Sequence, residues 1–180
     1  MKEHLKRERV NIDGLARLVK NLKPCPEENY LKEDTESAYY AHYNSKEIDK
    51  SVDCLLLAKA WLGKCLEYTG EESPYKSGYR TKEDIEPTAD VNYASEMLAG
   101  YEEQTSHIEK VDYLRTEIQR LNNIPLMMDL ATIADNLSPD DFLYNKHIVK
   151  LTRCKQKANE YLTEARFWLG FELQRIKESK

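Results

Sequence analysis

Glycine and proline are scarce in this 180-residue chain, six of each. So few turn formers cannot punctuate the many short strands of a sandwich or barrel, which argues against a sheet-and-turn protein. Long apolar runs are missing as well: none approaches the 18 residues that a membrane-spanning helix requires, so no membrane partner is expected. The first ten residues, MKEHLKRERV, are charged and hold no apolar stretch of the kind a secretory signal needs, so a cytoplasmic protein is expected. An excess of basic residues is also absent. The formal net charge is −5, which excludes a general coat for DNA or RNA, whose affinity rests on many phosphate contacts. A small nucleotide remains open, because it needs only a few local cations.

The four cysteines, Cys25, Cys54, Cys65 and Cys154, form no C-x-x-C, and no histidine pair stands at metal-ligand spacing. Cys54 and Cys65 share a helix face but lie about 16 Å apart along it, too far for a disulfide. These residues read as small core hydrophobes of a reducing compartment, with no metal site and no cofactor expected. G-x-S-x-G, a glycine-rich phosphate loop and H-E-x-x-H are all lacking, so no enzyme is expected.

What is present is helical patterning around one repeated stretch. Ala58–Leu66, AKAWLGKCL, returns as Ala165–Leu173, ARFWLGFEL, and the two copies hold both tryptophans of the chain. At 100° per residue, Ala58, Trp61, Leu62, Cys65 and Leu66 fall on one arc, and Ala165, Trp168, Leu169 and Leu173 on another. Trp61, Leu66, Trp168 and Leu173 are therefore expected in the core. Gly63 and Gly170 cost each helix about 1 kcal/mol against alanine, which points to close approach at the edge of each stripe. The pattern reads as an internal duplication or as two helices doing one structural job.

In chain order, Ile12–Leu22 predicts a short helix capped by Asp13 and ending before Pro24. A helix capped by Asp34 or Thr35 is expected to continue into Cys54–Tyr68 and stop at Gly70. Residues 70–90 form the longest stretch without helical pattern. Helical signals return over Val91–Asn122, with a break near Gly100, then in a short apolar helix over Leu126–Asn136. Ser138-Pro139-Asp140-Asp141 is a start signal for a long helix reaching about Lys177. The chain is expected to be all-α, a helical bundle built from two long hairpin-like halves, 1–90 and 91–180, in one compact domain.

Three features could carry a function. The segment Pro74–Lys82, PYKSGYRTK, sets cations, Arg80 above all, beside the rings of Tyr75 and Tyr79; cations for phosphate and rings for bases are what a nucleotide site needs. Lys59 and Arg166 stand at matching places in the two motif copies, about 100° from the centre of the stripe. Arg115, on the helix that follows Ile108, adds a cation. Each of these is also compatible with an ordinary solvated surface. Glu172 falls in the middle of the second apolar arc and requires a cation or donor, which Arg115 or Arg120 could supply. Twelve tyrosines against three phenylalanines suit interfaces, and a homo-oligomer is expected with Tyr39, Tyr40 and Tyr43 near the contact.

The segment LLLAKAWLGKCLEYTGEESPY, running on to IEPTAD at Ile85–Asp90, resembles the helical-hairpin domain of phage anti-CBASS and anti-Thoeris proteins. The resemblance covers residues 46–90 best and the second motif copy more loosely. It implies a phage-encoded, oligomeric protein of the host cytoplasm. Its implied task is to sequester a cyclic nucleotide or cyclic ADP-ribose immune signal without cleaving it. The chain departs from that family in length and lacks the Tyr- and Arg-containing N-terminal segment tied to ligand contact. Only Ala58, Trp61 and Leu66 match by position, and their role is structural. The other reading of the same sequence is a helical adaptor or virion-associated oligomeric protein with no small ligand.

Overall fold

Five helices make up nearly all of the residues that the computed structural model describes: 2–22, 45–68, 91–122 and 142–178. They are α1 (Lys2–Lys20), α2 (Lys46–Tyr68), α3 (Val91–Glu102), α4 (His107–Asn122) and α5 (Phe142–Glu178). No strand occurs among the described residues, and the architecture is an all-α helical bundle. The short apolar helix expected over 126–136, the start signal at 138–141 and the tyrosines at 39, 40 and 43 lie outside the described residues.

Caps set two of the boundaries. Ser45 Oγ accepts the Ile48 N–H at 3.2 Å, so α2 begins at Lys46 and is not the continuation of a helix begun near residue 35. Ser106 and Glu109 form a reciprocal capping box: the Glu109 N–H donates to Ser106 Oγ at 3.2 Å, and the Ser106 N–H to Glu109 Oε2 at 2.9 Å. The break between α3 and α4 therefore falls at residues 103–106 and not at Gly100. Gly100 is helical, and Tyr113 lies across it. A Cβ there would stand 2.5 Å from the Tyr113 hydroxyl, which donates to the Met97 carbonyl.

Asp13, expected to start α1, lies in its middle. The helix begins three turns earlier because Leu5 and Glu8 are buried in register with Ile12 and Leu15. Asp13 instead pairs with Arg17 one turn on and with Lys59 of α2.

The long helices of the two halves pack on each other. The α2–α5 contact is the most extensive among the described residues, and α1 covers a second side of α2. On α5, α4 takes the other flank and also reaches α1, while α3 lies over α1 and α4. Hydrogen bonds fix α2 antiparallel to α5: Ser51 Oγ donates to the Ala165 carbonyl at 3.0 Å, and Cys65 Sγ to that of Leu151 at 3.8 Å. Ala58 and Ala165, the first residues of the repeated motif, are fully buried and let the two backbones approach. Leu62, Leu66, Leu169 and Leu173 fill the core beside them. Trp61 and Trp168 are half-buried and pack against its edge. Burial pushes the Cys54 thiol up to about 11 and the Cys65 thiol up to about 12, so both behave as inert core groups.

Candidate functional site

Gly170 carries no side chain on the flank of α5 that faces α4, and Arg115 of α4 occupies the space. Its guanidinium would stand 3.6–3.8 Å from a Cβ at that position, in van der Waals contact. Arg166 precedes Gly170 by four residues, so it lies one turn away on the same flank. Two of the sequence-predicted cations, Arg115 and Arg166, are thereby brought to neighbouring positions on the α4–α5 seam. Both are half-buried. In both, Nε is shielded from solvent with no hydrogen-bond partner among the described residues. Arg115 also reaches Asp112 through Nη1, at a long 3.5 Å. Guanidinium groups set on neighbouring turns of facing helices are suited to a phosphate or other multivalent oxyanion, which they bind as planar forks.

Lys59 does not join them. The antiparallel register sets it about nine residues, roughly 13 Å, from Arg166 along the bundle. It faces α1, in a partly buried ion pair with Asp13. Tyr75, Tyr79 and Arg80 lie outside the described residues.

Glu172 has no exposed surface, as its place on the apolar arc implies, but its partners differ from those expected. Arg175, one turn on in the same helix, donates from Nε at 3.0 Å and from Nη2 at 2.7 Å. Ser45 Oγ donates at 2.7 Å, and His107 Nε2 lies 3.3 Å away. Arg115 and Arg120 are occupied elsewhere, at Gly170 and beside Glu117. Burial pushes the Glu172 carboxyl up, but the hydrogen bonds from His107, Arg175 and Ser45 outweigh it and hold the group at about 2. The cluster ties the starts of α2 and α4 to the end of α5.

A second buried pair has no counterpart in the sequence reading. Lys155 of α5 and Glu8 of α1 are both buried, and the ammonium meets both carboxylate oxygens. His4 Nε2 approaches the same carboxylate at 3.4 Å. The available signal was Lys155 following Cys154 on the edge of the apolar arc, a position that a snorkelling lysine would also occupy. Both clusters join helices. Among the described residues, no group of three or more His, Cys, Asp or Glu side chains could hold a metal ion. No described helix is long and apolar enough to cross a membrane.

No family model, curated protein or solved structure matches the chain.

Proposed function

We propose that the protein binds and sequesters an anionic ligand of the cyclic nucleotide or cyclic ADP-ribose type without altering it, as a phage protein countering a host immune signal. The observation that supports this reading is the Arg115–Arg166 pair, two neighbouring cations whose Nε donors have no partner among the described residues. Tyr75, Tyr79 and Arg80 would add rings and a third cation in this proposal. Lys59 is better explained as a structural partner of Asp13. Binding through two or three cations is salt-sensitive. It needs no nucleophile and no acid–base pair, so the ligand should be recovered intact.

The test is calorimetry against cyclic di- and trinucleotides and cyclic ADP-ribose isomers, followed by heat release and chromatography. Arg166→Ala and Arg115→Ala are each expected to weaken binding by about tenfold or more, the scale of a charge-assisted hydrogen bond. Binding that both variants leave untouched would remove the site. Recovery of a cleaved ligand would replace sequestration with catalysis. No binding across the panel would favour the second reading, a helical adaptor without a small ligand. That reading is supported by the exposed aromatic rings on α5, Phe167 and Phe171.

A further inference from the structure

Gly170 leaves a notch on α5 that two kinds of side chain frame. A helical side chain covers the turn on the N-terminal side of its own Cα. The missing one therefore uncovers the surface between Arg166 and Phe167, four and three residues earlier. Arg115 of α4 closes the notch from one side, 3.6–3.8 Å from where a Cβ would stand. Phe167, 64% exposed, bounds the other. Its ring is braced: Phe171 lies 6.3 Å away, tilted by 39°, and rests in turn on the half-buried Trp168 at 5.7 Å. The brace comes from the side of Phe167 away from Gly170, so the ring is held in place with area left toward solvent. We infer that this notch takes one nucleotide unit, its phosphate on Arg115 and Arg166 and its base stacked on Phe167.

Chemistry and size select that occupant. Guanidinium groups grip a phosphate as planar forks, and a flat exposed ring offers any base a stacking surface. Cβ positions three residues apart on a helix are about 5–6 Å from each other, which sets the Arg115 guanidinium within about 10 Å of the Phe167 Cβ. A phosphate and a base joined by one sugar span such a gap. The acids nearby leave the notch positive. Asp112 meets Arg115 only at 3.5 Å and is 68% exposed, so an incoming phosphate can displace it. Glu160 and Glu164 lie beyond Phe167, on the far side from Gly170. Glu160 pairs with Lys157, and Glu164 lies toward α2, within electrostatic reach of Cys54. Along the flank itself, from Asn159 through Thr163 to Gln174, α5 carries no acid.

The assignment rests on the ligand reading above and adds the surface that selects a base. Nuclear magnetic resonance titration of the full chain with AMP tests it, with ribose 5-phosphate as the ligand that lacks a base. AMP is expected to bind about tenfold or more tightly than ribose 5-phosphate, and its adenine protons to shift upfield. Phe167→Ala should bring AMP down to the affinity of ribose 5-phosphate and abolish the upfield shift, and Phe167→Tyr should restore both. Arg166→Ala should weaken both ligands alike. Helicity should be unchanged in the Phe167 variants, since the ring is exposed. Equal binding of the two ligands by the wild type, or AMP binding indifferent to Phe167→Ala, overturns the stacking assignment and leaves the arginine site standing. Cyclic dinucleotides that bind through both arginines while AMP does not bind overturn the one-nucleotide notch and keep sequestration. No binding of any of these ligands overturns the notch and the ligand reading together.

Discussion

Glu172→Gln is expected to lower the stability of the bundle by about 3–5 kcal/mol, the cost of breaking a buried, hydrogen-bonded ion pair from one side. The amide keeps the shape of the carboxylate but carries no charge. Arg175 then loses its counter-ion, and the Ser45 hydroxyl loses a charged acceptor. The pH dependence gives an independent signature. The carboxyl titrates near 4.5 in the unfolded chain and at about 2 when folded. A depressed carboxylate contributes stability that is complete above the unfolded value and disappears as pH falls through the folded one. The wild type should therefore lose about 3 kcal/mol between about pH 5 and pH 2 through this one group, and Glu172→Gln should lack that component. Urea melts at a series of pH values, at one fixed protein concentration, make the comparison. Parallel acid limbs for the two proteins would mean that Glu172 is not the group responsible.

Lys155→Met is expected to cost about 3–5 kcal/mol as well, because it takes the ammonium from the buried Glu8 carboxylate and leaves the half-buried His4 beside it. Replacing both partners has a different outcome. Glu8→Leu with Lys155→Met removes both desolvated charges and fills the space with apolar atoms, so the double variant should recover to within about 1 kcal/mol of wild type or exceed it. The recovery is what distinguishes a buried pair from a packing defect, since two cavities would add their costs. Denaturant titration of the four proteins of the cycle measures it. Additive losses would show that the Lys155 stem matters and its charge does not.

These two clusters also mark where the sequence could be read and where it could not. Glu172 was visible as a carboxylate inside an apolar arc, because a periodicity of 3.6 is a property of one helix. Which cation answers it is a question of how helices dock, and Arg175, three residues on, was nearer than the arginines of α4. Lys155 was harder. A lysine at the edge of a stripe looks alike whether its ammonium snorkels to water or meets a carboxylate from another helix 147 positions away. The Ser106–Glu109 box is purely local and could have been found from its S-x-x-E spacing. The apolar arcs located the core leucines well, yet each tryptophan at the margin of its arc proved to be half-buried. Arg115 and Arg166 were singled out separately as cations. Their juxtaposition follows from the absent side chain of Gly170 and the docking of α4 on α5, which no spacing along one helix encodes.

The wide separation in sequence between α2 and its principal partner has a consequence for synthesis. The face of α2 that carries Ala58 and Leu62 leaves the ribosome about a hundred residues before α5 arrives to cover it. During that interval α1 can shield one flank, while the partner that covers the motif stripe, α5, is still to come. The burial between α2 and α5 is therefore gained only once α5 has been translated.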